Sequence, residues 1–392
     1  MQYRPDRYGN PVSILGYGCM RFTHRAGAVD LQKTEREIRA AAEAGVNYFD
    51  TAYIYPGSEA ALGEILERNG LRDKVRIAAK LPHYLIKDAA GLEKTFREEL
   101  RRLRTDRVDY YLMHMLTDVK TWDRLVSLGI EDWLRQKREE GSIGQVGFSY
   151  HGNPDMFIRL LEVRDWDFCQ IQYNYLDEHS QAGVTGLRAA AARGIPVIVM
   201  EPLRGGRLAN RLPKEAEALF RKYPVQRSSA EWGFRWLWDQ PEVTCVLSGM
   251  NSLDMVRENC AAADSARAGE LTEADRALFA AVVKAINAEM KVGCTGCRYC
   301  MPCPRNVDIP GIFAAWNRLA DEGRASAFLR YFMSTAIRKD ATGASNCVGC
   351  GRCEQRCPQG IAIRKELQSC RRTFEGPIYK IGRKLLVAFG KY

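Results

Sequence analysis

Short apolar runs alternate with helix-length amphipathic stretches through most of the chain. The runs are Ile14–Cys19, Val46–Asp50, Arg76–Leu81, Val108–His114, Gln145–Ser149, Phe168–Tyr173, Pro196–Met200 and Val243–Ser248. Each is almost wholly apolar instead of alternating, as expected for parallel strands covered by helices. Helical periodicity fills the gaps over Thr34–Ala44, Ser58–Arg68, Gly91–Leu103, Ile130–Glu140, Pro154–Glu162, Gln181–Ala192 and Ser228–Asp239. Eight such strand–helix units predict an α/β fold, a (β/α)8 TIM barrel. A doubly wound open sheet is the alternative, but Gly16-Tyr17-Gly18-Cys19-Met20-Arg21 lacks the third glycine of a dinucleotide-binding turn. Tyr8-Gly9-Asn10-Pro11 is a turn signal and predicts a lead-in hairpin.

Beyond the eighth run the pattern changes. Helices are predicted over Ser252–Ala263 and Glu273–Met290, then a cysteine-rich segment begins at Gly293. Its interior predicts two helices, Ile309–Glu322 and Ala325–Ile337. The tail Ile378–Phe389 mixes apolar and basic residues; packing as a short terminal helix or strand is expected over lying on a membrane. The 392 residues are long for one core. The expected division is a barrel over 1–264, a linker helix over 265–290, a cysteine domain over 291–375 and a tail over 376–392.

Cysteine usage sharpens this division. Of 13 cysteines, eight fall between Cys294 and Cys357. The first run is Cys294-x2-Cys297-x2-Cys300-x2-Cys303-Pro304, the second Cys347-x2-Cys350-x2-Cys353-x3-Cys357-Pro358. There is no export signal and no apolar stretch long enough for a membrane span, so a cytoplasmic protein is expected, and a disulfide scaffold is not. Three thiolates at this spacing can wrap three corners of a cubane, with the fourth ligand coming from farther away. Four-thiolate zinc is the alternative. The second run matches the bacterial two-cluster ferredoxin pattern, and the first is one residue short of it. With its helical insert, the segment resembles the alpha-helical ferredoxins attached to fumarate and succinate oxidoreductases. The bacterial two-cluster pattern, carried onto this chain, implies two 4Fe–4S clusters with exchanged fourth ligands. One would be held by Cys294, Cys297, Cys300 and Cys357, the other by Cys347, Cys350, Cys353 and Cys303.

Charge is segregated in the same way. From Lys291 to Tyr392 there are 18 Lys plus Arg against 7 Asp plus Glu, a net +11, while the first 290 residues hold 40 against 41. Two loaded clusters with their thiolates carry about −4 in total, which leaves a basic domain. Such a surface can steer an acidic electron carrier, a ferredoxin or flavodoxin. Nucleic acid is not expected, because no basic stripe is interleaved with aromatics.

Ionisable residues close three successive strands of the barrel: Asp50, Lys80 and His114, with Tyr55 on the loop after Asp50. Barrel enzymes keep their chemistry at these strand ends. The barrel resembles the aldo-keto reductase superfamily. The resemblance is carried by Leu15-Gly16-Tyr17-Gly18-Cys19-Met20, Phe49-Asp50-Thr51-Ala52-x-x-Tyr55, the Lys80 strand end and Tyr110-Tyr111-Leu112-Met113-His114. Gly141-x-Ile143-Gly144-x-Val146-Gly147-Phe148-Ser149, Gln172-Tyr173-Asn174, Pro202-Leu203 and Glu258-Asn259 extend it. The pairing with a cluster domain resembles a ferredoxin-containing branch of that superfamily.

The resemblance implies Tyr55 as general acid, Lys80 lowering its pKa, Asp50 holding Lys80, and His114 orienting the substrate oxygen. It also implies a nicotinamide site, NADP(H) or NAD(H), drawn from Gly18, Cys19, Met20, Asp50, Ser149, Gln172, Ser252 and Asn259. The chain departs from the family at Tyr150, where asparagine is usual, and at Met200, where tyrosine is usual. Gly249 and Met255 stand where the lysine and arginine that bind a 2′-phosphate would be, and Arg257 is a substitute two positions out of register. Leu203, Arg204 and Gly206 belong to a loop that either cradles a pyrophosphate or is a plain glycine-rich rim. A flavin, which splits electron pairs, is compatible but not favoured. The expected activity interconverts a carbonyl and an alcohol with a nicotinamide cofactor, joined to electron transfer through the clusters. The rival readings are an electron-transfer adaptor between nicotinamide and an acidic carrier, and clusters that serve only as structural staples.

Overall fold

Eight parallel strands close into a barrel: β1 (Leu15–Gly18), β2 (Tyr48–Asp50), β3 (Arg76–Leu81), β4 (Val108–Leu116), β5 (Ile143–Tyr150), β6 (Phe168–Gln172), β7 (Val197–Met200) and β8 (Val243–Ser248). Each pairs with the next, and β8 returns to β1 through Val246–Leu15 and Ser248–Tyr17. This computed structural model describes the chain apart from Asn153, Glu289, Thr295, Cys297, Tyr299, 337–339, Pro358 and 389–392.

Both faces of the sheet are apolar because both are covered. Tyr48, Ala78, Tyr110, Phe168 and Ile198 come from different strands and fill the interior, with the Tyr110 ring 4.9 Å from Tyr48 and 5.1 Å from Phe168. The outer face packs on α1 (Leu31–Glu43), α2 (Ser58–Arg68), α3 (Ala89–Leu103), α4 (Val119–Ser127), α5 (Ile130–Glu139), α6 (Pro154–Glu162), α7 (Gly183–Ala191), α8 (Ser229–Trp238) and α9 (Leu253–Ser265). Gly63 lets α2 and α3 approach closely, since a Cβ there would stand 2.5 Å from the Leu103 carbonyl oxygen. The expected lead-in hairpin pairs Tyr3–Pro5 with Pro11–Ser13. It stoppers the strand-start end of the barrel: Val12 joins the interior, and buried Asp6 accepts from the Tyr110 hydroxyl at 2.9 Å and from Gln145.

Several features differ from the sequence pattern, among them the helices Lys214–Lys222 and Ile363–Phe374, which were not expected. Strand β4 extends to Leu116 because its register shifts between Met113 and Leu116, where Met115 takes a left-handed φ of 57°. Such a bulge re-aims neighbouring side chains. Helix α4 was not expected. Its apolar Trp122 and Leu125 are buried, and its Asp118 cap, which accepts from Thr121 N at 2.8 Å, is a local start signal.

The chain forms two compact units, Met1–Leu212 with Glu217–Phe279, and Pro213–Ala216 with Ala280–Tyr392. Helix α10 (Glu273–Ala288) crosses that boundary, and its Phe279 ring packs on Trp232 and Tyr175 of the barrel unit. The second unit is mainly helical: α11 (Ile309–Thr335), α12 (Ile363–Phe374) and α13 (Pro377–Ala388). The two helices expected over 309–337 are consecutive halves of α11 joined at Gly323, whose φ of 73° and ψ of 176° interrupt the helix. Phe313, Trp316 and Tyr331 of α11 pack with Leu367 and Phe374 of α12 to make this unit's own core. Among the described residues no helix is long and apolar enough to cross a membrane.

Candidate active site

The ionisable residues at successive strand ends converge. Lys80 Nζ donates to Asp50 Oδ1 and to the Thr51 carbonyl at 2.8 Å. Asp50 Oδ2 accepts from Gln170 Nε2 at 2.8 Å, so both carboxylate oxygens are engaged and the pair is held from two strands. Lys80 Nζ lies 5.1 Å from the centre of the Tyr55 ring. That ring meets the His114 ring edge-on at 6.0 Å. Asp50, Lys80 and His114 are buried, and Tyr55 is half-buried.

The electrostatics amend one expectation. Burial pushes the Tyr55 hydroxyl above its usual pKa, and the pull of Lys80 downward does not overcome this. The physical reason is that Lys80 is already neutralised by Asp50. The Lys80 ammonium loses hydration to burial, but Asp50 and then Tyr55 hold its pKa above the ordinary lysine value. Tyr55 is therefore kept protonated, the state in which it serves as an acid. His114 is pushed down to about 2, by burial first and then by Lys80, His151 and His83, so it is a neutral imidazole. Its buried Nδ1 has no hydrogen-bond partner among the described residues.

The cofactor candidates are distributed unevenly. Cys19 is buried beside the tetrad, its thiol pushed up by burial and then by Asp50. Gly18 lies against the Ser248 carbonyl, a Cβ there meeting its oxygen at 3.5 Å, while Met20 is exposed. Ser149 Oγ accepts from Met115 N at 2.9 Å, which ties the β4 bulge to the end of β5. Gln172 donates to Asp177 at 3.2 Å and accepts from Gln181. Arg204 pairs with Asp177 at 3.1 Å. Gly206 takes a φ of 91° in the loop after β7, Leu203 packs toward Gly233, and Met200 abuts the barrel interior. Ser252 caps α9 by accepting from Met255 N at 3.2 Å, and Asn259 donates to Ser248 Oγ at 3.2 Å. Two candidates stand apart. Tyr150 turns to the helix side, its ring 5.0 Å from Phe157. Arg257 is exposed and only 3.9 Å from Asp254, its neighbour on the same helix.

Several residues at this mouth escaped the sequence reading. Gln170 braces Asp50. Tyr84 approaches His114 at 6.4 Å and His83 at 5.4 Å between ring centres. Arg21 is exposed, and its side chain lies between Gly249 and Gly205: a Cβ on either glycine would stand 3.0 or 2.7 Å from it. The sequence signal for His83 and Tyr84 was their place just beyond Lys80; Arg21 had none beyond its place after β1.

Burial of His83 has a consequence for stability. Its pKa is pushed down to about 4 by burial, which the hydrogen bond to the Met115 carbonyl opposes. An unfolded chain protonates this imidazole near 6.5, so between those values the unfolded state binds the extra proton and stability falls as pH falls. Moving from pH 7 to pH 5 is expected to cost the native protein about 2 kcal/mol more than it costs His83→Gln. Urea unfolding of both proteins at the two pH values measures the difference; parallel behaviour would refute it.

In the second unit, Cys294, Cys300 and Cys357 line one cavity together with Arg298, Phe313 and Ile363. The last cysteine of the second run is thus brought to the first run. Cys303, Cys347 and Cys353 are half-buried against the same core, and Cys350 is exposed. Cys297 lies outside the described residues. Arg364 reaches across the second loop, donating to the Gly349 carbonyl at 3.4 Å and pairing with Glu354 at 2.8 Å. Among the described residues no disulfide is present, and no three His, Cys, Asp or Glu side chains meet around a single ion. The donors of a cubane bind separate irons, so they ring a cavity; the thiols around this one fit that requirement.

A closed parallel barrel with Asp50, Lys80 and His114 toward its strand ends and Tyr55 on the loop after Asp50 has the architecture of a barrel oxidoreductase. Residues 14–276 match the aldo/keto reductase family, and residues 293–362 match the 4Fe-4S dicluster domain. The chain belongs to the aldo/keto reductase family and carries a 4Fe–4S dicluster domain after its barrel. It is 28% identical over 208 residues to an aldo-keto reductase of Mycobacterium sp. (strain MCS), a match that covers 51% of this chain and 65% of that protein. It is 26% identical over 275 residues to L-galactose dehydrogenase of Arabidopsis thaliana, covering 65% and 85%. The holo form of an aldo-keto reductase from Bacillus halodurans superposes with a TM-score of 0.61 at 26% identity, over 73% of this chain and 97% of that one.

Proposed function

We propose that the barrel interconverts a carbonyl and an alcohol with NADP(H) or NAD(H), and that two 4Fe–4S clusters exchange single electrons with an acidic carrier. The observation that carries the first part is the convergence of Tyr55, Lys80, Asp50 and His114. A bound nicotinamide supplies or accepts the hydride, and bound clusters store single electrons. The chain's own residues do the rest. Tyr55 gives its hydroxyl proton to the carbonyl oxygen, and a neutral His114 donates a hydrogen bond to that oxygen as charge develops on it. Lys80 then stabilises the phenolate left on Tyr55, and Asp50, braced by Gln170, keeps Lys80 in place. Ser149 and Gln172 hold the carboxamide of the nicotinamide.

For the clusters, Cys294, Cys297, Cys300 and Cys357 hold one and Cys347, Cys350, Cys353 and Cys303 the other. The cavity shared by Cys294, Cys300 and Cys357 supports this exchange of fourth ligands. The second loop is where a carrier meets the domain, because Val348, Cys350, Arg352 and Arg356 are exposed there and the domain is basic. The test is anaerobic turnover with NADPH, offering a carbonyl or a one-electron dye. Carbonyl-dependent oxidation supports the reductase. Dye reduction without any carbonyl turnover would replace it with the adaptor reading, in which the barrel only feeds the clusters.

Arg21 offers an exposed cation at the rim with no ion pair among the described residues, and we assign it to a phosphate of the cofactor. Arg21→Ala is expected to raise the Kd for NADPH roughly tenfold, as loss of one charge-assisted contact does. Fluorescence titration measures it; equal loss with NADH points to the pyrophosphate, and an unchanged Kd removes Arg21 from the site.

A further inference from the structure

Helix α13 is amphipathic in an unusual sense. One face carries Tyr379 and Gly382 and packs on α11: the Tyr379 ring lies 5.7 Å from Phe332, and a Cβ on Gly382 would meet the Phe332 ring at 3.0 Å. Arg383 Nη1 donates to the Ala336 carbonyl at 2.9 Å and fixes the crossing. The other face is apolar and uncovered. Ile378, Ile381 and Leu385 recur at helical spacing and are 74%, 58% and 51% exposed. Leu329 and Met333, 61% and 43% exposed, flank Phe332 on the neighbouring stretch of α11 and extend the patch. Scattered exposed apolar residues are ordinary, but five grouped on two packed helices are not.

The charge along the helix itself is of one sign. Residues 376–392 hold Lys380, Arg383, Lys384 and Lys391 and no Asp or Glu. Lys380 and Lys384 lie one turn apart, both exposed, along the edge of the apolar stripe. A second copy of the chain on this face would bring these lysines against their own counterparts. The high exposure also marks a ridge and not a groove, and a ridge needs a partner that deforms around it. We propose that the α13 face docks on the surface of an anionic lipid bilayer, with Ile378, Ile381 and Leu385 entering the headgroup layer and Lys380 and Lys384 pairing with lipid phosphates. This is peripheral attachment by a surface helix and is independent of the reaction assigned to the barrel.

The test is flotation of the full, cluster-loaded protein with vesicles of phosphatidylcholine alone or mixed with phosphatidylglycerol. The protein is expected to float with the anionic vesicles at low salt and to be released by high salt. Lys380→Gln/Lys384→Gln should weaken anionic binding by roughly fivefold per lysine. Ile381→Asp/Leu385→Asp should abolish it; the replaced side chains are exposed, and iron content and circular dichroism verify the fold. Failure of the native protein to float with either vesicle would overturn the proposal. So would flotation that persists in the aspartate variant, or self-association lost in that variant without any lipid binding.

Discussion

Tyr55→Phe is expected to lower carbonyl-dependent NADPH oxidation by about 10²–10⁴-fold, the usual worth of a positioned proton donor. The substitution removes one oxygen from a half-buried ring, so the edge-on contact with His114 and the Asp50–Lys80 pair remain. NADPH affinity and iron content should be unchanged, which separates lost chemistry from lost structure. The pH profile adds a signature. Burial holds the Tyr55 hydroxyl above its ordinary value, so the native enzyme should keep its reductive rate well into the alkaline range. In Lys80→Met the same hydroxyl loses the cation beside it, and the phenolate left after proton transfer loses its stabilisation; that variant should be comparably slow. Turnover of Tyr55→Phe within a few-fold of native would remove Tyr55 from the mechanism.

Cys357→Ser should remove about four of about eight irons per chain, the content of one cubane of two. The informative comparison pairs it with Cys350→Ser. If Cys357 completes the cluster of the first run, as its shared cavity with Cys294 and Cys300 implies, the two single variants lose different clusters and the double variant loses all iron. If Cys357 instead belongs with its own run, the double variant keeps as much iron as either single one. Iron and acid-labile sulfide analysis of anaerobically prepared protein reads the outcome. Zinc without sulfide in the native protein would sink the cluster assignment itself.

The barrel and the tetrad could be read from sequence because their signals are local. An apolar run ending in Asp50, Lys80 or His114 states both the strand and the end that bears chemistry. What stayed hidden depends on which side chains meet. Gln170 looks like any polar residue inside a strand until the barrel closes and brings β6 to Asp50. Tyr150 follows Ser149 directly, yet alternation along β5 sends it to the helix side. Arg21 faces the rim because Gly205 and Gly249 leave room for it, a condition set by residues more than 180 positions away. The pKa of Tyr55 went the other way from expectation because sequence reveals the neighbouring cation but not the burial that outweighs it.

The hairpin at the strand-start end spends its contacts on the barrel interior, with Val12 in the inner cluster and Asp6 held by Tyr110 and Gln145. Its work is therefore mechanical, bracing the barrel at the end opposite the strand ends that carry Asp50, Lys80 and His114.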